Sequence, residues 1–423
     1  MSLGNQPTNL LKEIFEEHWE SFLQKYPSYD CDQYRVPVKK MMDCRDQSKG
    51  FACYVCEGCG ETKKVSFSCK SSFCLSCSKL YSDDVVAEIT ANLHSSLNYR
   101  HITMTVPKQL RDYFYKERKH GSFLSGFLKI AYNCIQSVIS KTLGKDLSVG
   151  VIAVLHTNGR SGNYNPHVHL MVSDGGFELE KKRWYDLRFL PYGVLNKTWQ
   201  SLLCSFVESY FGEEIGSILA ELKTVYEDGF VVNVSQKKAP PGEKSLKKYL
   251  AKYLSSPPIS LRRILEYDGT HVCYCYQDHV TKKKLSVKVP VFVFIGRMVQ
   301  HLRVKGFQKL RYYGLQATKL YRKLRPLIEK SLKSLGKRIE EVIQVSLVKK
   351  WRERMMEGSG KDPLRCIKCN MTMNLWYLWN PKSGIFYDAY KSAPNIKKDP
   401  PIETRMTSLE DQSVFSSQLC FMQ

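Results

Sequence analysis

The chain has 423 residues, too many for one ordinary compact core, so two or three domains are expected. Its 64 Lys and Arg against 41 Asp and Glu leave a formal charge of +23, which favours a polyanionic partner, nucleic acid first. No apolar run approaches the ~20 residues that span a bilayer, and the start of the chain lacks a signal-peptide core, so a soluble, intracellular protein with no membrane partner is expected. In a reducing compartment its 15 cysteines argue against a disulfide framework, and eight of them crowd between Cys31 and Cys77, where metal binding explains the clustering.

Leu10, Leu11, Ile14, Phe15, Trp19, Phe22 and Leu23 recur at helical spacing and predict an amphipathic helix near residues 8 to 25, with His18 an ordinary surface histidine. Residues 31 to 80 carry almost no apolar period and depend on cysteines for order. A helix from about Tyr81 to Leu97 leads into the alternating strand Ile102 to Val106, stopped by Pro107. Helices follow around 109 to 142. Val149 to Leu155 then reads as a buried strand ending at His156, and His167 to Val172 as its hairpin partner across a turn-rich loop, Thr157 to Pro166.

A helix over roughly 192 to 223 and the strand Phe230 to Val234 come next. The Lys/Pro/Gly stretch Lys237 to Lys244 precedes a helix carrying Tyr249 and Tyr253, which Pro257 and Pro258 stop. His271 to Tyr276 and Leu285 to Ile295 read as a strand hairpin. Residues 316 to 357 read as basic and helical, with Leu320, Leu324, Ile328, Leu332 and Leu335 on one face, and the tail after Trp379 as low in order.

On a strand, His167 and His169 share one face while Val168, Leu170 and Val172 take the other. Two imidazoles do not fix a metal alone. His156, at the end of the preceding strand, is the expected third ligand, with Asp174 the nearest acidic competitor. Tyr249 and Tyr253 stand one helical turn apart, in a segment whose Lys247, Lys248, Lys252, Arg262 and Arg263 suit contact with phosphates. A free phenol, with pKa ~10, needs activation to attack phosphorus, and a divalent metal beside the phosphate can supply it. The set therefore reads as metal-assisted phosphodiester cleavage with tyrosine nucleophiles, the chemistry of DNA strand transfer.

Cys56-x-x-Cys59, Cys69 and Cys74-x-x-Cys77 have the spacing of structural zinc knuckles, and Cys44 and Cys53 can join them, giving one or two zincs. Lys63, Lys64 and Lys70 are the DNA-contacting candidates of that module. Cys366-x-x-Cys369 looks like half a zinc ribbon, and with no second pair after it a degenerate or redox-silent pair is expected. Cys134, Cys204, Cys273 and Cys275 read as core residues.

These residues resemble the two-tyrosine rolling-circle transposases of the insertion sequence ninety-one type, within the histidine-hydrophobe-histidine endonucleases. The resemblance covers most of the chain: the Cys-rich start, Arg100 to Pro107, Val151 to Thr157, Asn165 to Leu170, Tyr249 to Tyr253 with Pro257 to Ser260, and Lys305-Gly306-Phe307 with Arg311 to Gly314. It implies an antiparallel-sheet nuclease core with helices on its faces, Mg or Mn on the histidines, and 5′-phosphotyrosine intermediates that leave a free 3′ hydroxyl. Family members often place a histidine just before the first close cysteine pair, where this chain reads Phe51-Ala52-Cys53, so Cys53 stands as its substitute.

The expectation is thus an α+β chain: an N-terminal helix and zinc-binding DNA-recognition domain over 1–97, the nuclease and strand-transferase core over 98–315, a basic helical region over 316–380 and a tail over 381–423. It would act in the bacterial cytoplasm on single-stranded element ends and target DNA. No Gly-x-x-x-x-Gly-Lys loop is present, so no nucleotide cofactor is expected. A plasmid rolling-circle replication initiator or relaxase, and a catalytically silent zinc-dependent DNA-binding regulator, are the alternatives.

Overall fold

The computed structural model describes residues 9–94, 96–159, 161–187, 189–235, 259–278, 281–336 and 351–391. In chain order its elements begin with α1 (Leu10–Lys25), α2 (Asp32–Met42), β1 (Phe51–Val55), β2 (Thr62–Ser66), α3 (Leu75–Asn92), β3 (Tyr99–Thr105), α4 (Arg111–Lys116) and α5 (Gly121–Leu143). They continue through β4 (Ser148–Asn158), β5 (Tyr164–Glu178), β6 (Arg183–Asp186), α6 (Tyr192–Phe211), α7 (Gly216–Val225), β7 (Val232–Val234), β8 (Ile264–Tyr267), β9 (His271–Gln277) and β10 (Lys284–Pro290). Last come α8 (Val291–Val299), β11 (Leu310–Gly314), α9 (Thr318–Ser334), α10 (Trp351–Ser359), β12 (Asn374–Asn380) and β13 (Gly384–Asp388). The chain divides into two units, Met1–Val38 with Ser71–Gln344, and Lys39–Lys70 with Val345–Gln423.

The first unit is built on an antiparallel sheet in the order β11-β4-β5-β3-β7, with β6 pairing to the far end of β5. Alternation divides its central strands between two cores. Val151, Ala153 and Leu155 of β4, Val168, Leu170 and Val172 of β5, and Ile102 and Met104 of β3 face α4, α5, α6 and α7. Ile152, Val154, Met171 and Tyr99 point the other way, into a second core with α3 and α9.

Helix α5 shows why the first face is covered. Phe123, Leu124, Phe127, Leu128, Ala131, Cys134, Ile135, Val138 and Ile139 recur at helical spacing and are all buried. Each large side chain among them contributes roughly 1.5–3 kcal/mol on leaving water. The helix stops at Gly144, whose φ of 61° is the left-handed conformation that glycine adopts most easily. Gly314 closes β11 under the same demand: φ is 55°, and an added Cβ would lie 1.9 Å from the Val149 carbonyl oxygen.

Strands β8, β9 and β10 form a separate antiparallel sheet in the same unit, and β9 with β10 is the hairpin expected from the sequence. The expected strand Leu285 to Ile295 is corrected beyond Pro290, however. Val291–Val299 is a helix whose Val291, Phe294, Ile295, Met298 and Val299 are buried at helical spacing, with Pro290 at its N-cap. A continuous apolar run hid that change of period. Helix α1 packs on α8 through Phe22 and Phe292, and His18 Nε2 lies 2.6 Å from the Tyr267 hydroxyl.

The second unit holds a four-stranded sheet in the order β13-β12-β1-β2 around Ala52, Tyr54, Cys56, Cys366, Met373 and Leu378. Residues 384–388, expected in the low-order tail, form β13 and pair with β12. No described helix is long and apolar enough to cross a membrane.

Candidate functional site

The β4-β5 register sets His156 directly opposite His167 and Val154 opposite His169. His167 and His169 share the face of Met171, so three imidazoles meet on one side of the two central strands, with ligand nitrogens all within 4.8 Å of one another. His156 and His169 are only 8% and 9% exposed. Asp174, the acidic competitor, is held elsewhere, accepting from Arg100 Nε at 2.6 Å.

The ring nitrogens are sorted by their partners. His167 Nδ1 lies 2.7 Å from the Asn165 carbonyl oxygen, which can only accept, so Nδ1 carries the proton and Nε2 keeps its lone pair. His169 Nδ1 lies 2.8 Å from His101 Nε2 and 3.2 Å from Thr103 Oγ1. Desolvation pushes the pKa of His167 and His169 well down, and His169 is lowered further by its imidazole neighbours; burial takes His101 down to about 4. Neutral, buried, oriented imidazoles are the donor set that a divalent cation requires.

His101 is a member of this cluster that the sequence reading did not single out. A signal was present: His101, Thr103 and Thr105 alternate with buried Ile102 and Met104, which marks a polar face on an otherwise apolar strand.

A cavity of about 70 Å³ opens beside His156. Arg118, Arg303 and Lys309 line it together with Thr157, Tyr164 and His301, and no carboxylate is among its lining residues. The Arg118 guanidinium lies 3.8 Å from the Tyr115 ring centroid, and its buried Nε has no hydrogen-bond partner. Burial first, and Arg303 second, push Lys309 down to about 7. Two guanidinium groups and the Lys309 amine, which an anion would draw into its protonated form, face one space without a carboxylate and favour an anion there.

The remaining expected site residues are placed as follows. Tyr249, Tyr253, Lys247, Lys248 and Lys252 lie outside the described residues. Arg262 is exposed, whereas Arg263 donates from Nε to the Cys275 carbonyl oxygen at 2.7 Å, so its guanidinium braces β9. In the second unit the Cys69 amide donates to Cys44 Sγ at 3.4 Å, and Lys63 Nζ donates to the Pro363 carbonyl oxygen at 2.6 Å. In the first, Cys74 caps α3 and Cys77 lies in its first turn. Cys56 and Cys59 stand with Cys366 and Cys369 in a four-sulfur group, all within 4.8 Å of one another. Cys366-x-x-Cys369 is therefore not an isolated degenerate pair, because its partner pair precedes it in the chain. Among the described residues Cys53 joins no such group: in the middle of β1 it is buried opposite Lys64 and Tyr377.

Residues 150–323 match the family described as "Putative transposase", and residues 14–106 match the transposase zinc-binding domain. The chain is 26% identical over 380 residues to the transposase for insertion sequence element IS801 of Pseudomonas savastanoi pv. phaseolicola, covering 86% of this chain and 88% of that one. The chain belongs to this transposase family. It is also 24% identical over 375 residues to "Putative transposase y4qJ" of Sinorhizobium fredii, covering 85% and 92% of the two chains. No solved structure matches it. The first match holds the three histidines and the second most of the clustered cysteines, so this transposase acts on DNA and carries structural zinc.

Proposed function

We propose that this transposase cleaves and rejoins single-stranded DNA at element ends through 5′-phosphotyrosine intermediates, moving one strand by a rolling-circle route. The observation that carries the reading is the convergence of His156, His167 and His169 on one sheet face, with two of the rings fixed by Asn165 and His101. These histidines would hold Mg or Mn, which when bound polarises the scissile phosphate and offsets charge on the departing oxygen. Burial keeps His167 and His169 neutral, which suits that role.

The chain's own part in the chemistry is nucleophile supply and strand placement. A phenol oxygen of Tyr249 or Tyr253 attacks phosphorus; the new O–P bond forms as the bond to the 3′ oxygen breaks, and that oxygen leaves to become a 3′ hydroxyl after taking a proton. Rejoining runs the same exchange backwards, with a 3′ hydroxyl displacing the phenol, so no nucleotide is consumed. Two tyrosines provide for two successive transfers. The Arg118, Arg303 and Lys309 cavity would seat a backbone phosphate of the strand beside His156. Lys247, Lys248, Lys252 and Arg262 would add contacts to the strand on the tyrosine segment, and Lys64 and Lys70 would serve recognition of the element end.

The test is incubation with labelled single-stranded oligonucleotides carrying candidate element ends, with Mn or with EDTA. A covalent protein-DNA adduct that needs metal and disappears in the Tyr249→Phe, Tyr253→Phe double variant is expected. An adduct that survives in the double variant, or one indifferent to EDTA, would overturn the reading. A silent DNA-binding regulator would give binding with no adduct on any end.

A further inference from the structure

Two short loops of the second unit are built alike. Cys56-Glu57-Gly58-Cys59 links β1 to β2, and Cys366-Ile367-Lys368-Cys369 precedes β12. Each is followed by a residue in the left-handed conformation, Gly60 at φ 71° and Asn370 at φ 59°. The amide of that residue donates to the carbonyl of the first cysteine, at 2.8 Å for Gly60 to Cys56 and 3.0 Å for Asn370 to Cys366. The amide of each first cysteine donates onward, Cys56 to Glu61 at 2.9 Å and Cys366 to Met371 at 2.8 Å. Antiparallel pairing of β1 with β12, in the register Val55 to Asn374, then brings the two loops to one end of the sheet.

The sulfurs that result are Cys56 and Cys369 at 3.2 Å and Cys59 and Cys366 at 3.5 Å, with all four within 4.8 Å. A tetrahedral zinc with Zn–S of ~2.3 Å needs sulfurs ~3.8 Å apart, inside this range. A disulfide needs ~2.05 Å, and neither pair is that close. No carboxylate or imidazole belongs to the group, so the donor set is four thiolates, a closed structural site rather than a catalytic one.

We propose that Cys56, Cys59, Cys366 and Cys369 form a zinc ribbon encoded in two halves, one on each side of the nuclease core in the sequence. The family match to the zinc-binding domain ends at residue 106, so the second pair of ligands lies outside it. The ligands are 307 and 313 residues apart along the chain. The packed centre of this unit is small: Ala52, Tyr54, Met373 and Leu378 beside the ligands Cys56 and Cys366, with a shell of partly buried residues. A core of that size needs a staple, and metal binding here would be folding energy for the whole sheet β13-β12-β1-β2. The zinc-binding region of this transposase would thus be completed only when residues beyond 350 have been made. This inference stands apart from the tyrosine chemistry and does not depend on it.

The experiment uses the full chain purified with its native metal. Zinc is counted by mass spectrometry for the parent and for Cys366→Ala with Cys369→Ala, and native cysteine alkylation is mapped before and after chelation. The expected result is one zinc fewer per chain in the double variant. In the parent, Cys56, Cys59, Cys366 and Cys369 should resist alkylation together and become reactive together when chelator is added, a readout that does not require the variant to fold. An unchanged zinc count in the double variant would overturn the proposal. So would alkylation of Cys366 and Cys369 while Cys56 and Cys59 stay protected, or recovery of either pair as a disulfide.

Discussion

His101 Nε2 lies 2.8 Å from Nδ1 of His169, their rings nearly parallel with centroids 5.0 Å apart. His101 occupies the strand beside β5, where Thr103 is the residue directly opposite His169. The contact fixes the His169 ring within the group it forms with His156 and His167. Positioning residues of this kind typically change metal affinity by about 10- to 100-fold when removed. His101→Ala is therefore expected to raise the Mn concentration needed for half-maximal adduct formation by about that factor, with activity recovered at saturating Mn. A variant that fails equally at every Mn concentration would show that His101 does something other than orient His169.

Because His156 pairs with His167 at the last regular position before β4 and β5 shift register, its side chain cannot be replaced by a neighbour. His156→Ala should leave two imidazoles, too few for a stable site, and lower metal-dependent adduct formation by at least about 100-fold. Oligonucleotide binding should be retained, since the cations that line the adjacent cavity are untouched. Full adduct formation by His156→Ala would remove it from the ligand set.

Much of this arrangement is legible in local periodicity. The β4-β5 hairpin, the shared face of His167 and His169, and the placing of His156 across from them follow from alternation and from one turn-rich loop. Helix α8 was not legible, because a fully apolar stretch has the same composition as strand or helix and only the buried spacing after Pro290 separates them. The partnership of Cys56 and Cys59 with Cys366 and Cys369 was hidden for another reason. It depends on β1 pairing with β12 across more than 300 residues, and no local spacing carries that information. His101 falls between the two cases, its polar alternation visible but its partner on another strand.

The cavity beside His156 gives a prediction in salt dependence. Each phosphate contact to a single strand contributes about 0.7 to the slope of log affinity against log salt. At pH 6, where Lys309 is protonated, Arg303→Ala with Lys309→Ala should therefore weaken binding of a single-stranded oligonucleotide at low salt and lower that slope by about 1.4, measured by fluorescence anisotropy across a KCl series. Affinity loss with an unchanged slope would mean that the two side chains support the fold near Leu155, whose amide donates to the Lys309 carbonyl at 2.9 Å, rather than contact phosphate.

His94 links the fold to pH. It is 3% exposed, just beyond the C-terminal end of α3, where its Nδ1 accepts from the Ser96 amide at 3.2 Å and its own amide donates to the Tyr99 hydroxyl at 2.9 Å. Burial pushes its pKa down to about 4, with Glu329, 4.0 Å away, opposing the shift only in part. An unfolded histidine titrates near ~6.5, so below that pH the unfolded chain takes up a proton that the folded chain refuses. Stability from this residue is therefore flat above pH ~6.5 and falls as pH drops toward 4, by about 2 kcal/mol at pH 5. Replacing His94 with Asn keeps an acceptor for the Ser96 amide and removes the titration. Urea unfolding at pH 7 and pH 5 should then show the parent losing about 2 kcal/mol more than the His94→Asn chain over that interval. Parallel losses in the two chains would mean that His94 is protonated as readily in the fold as outside it.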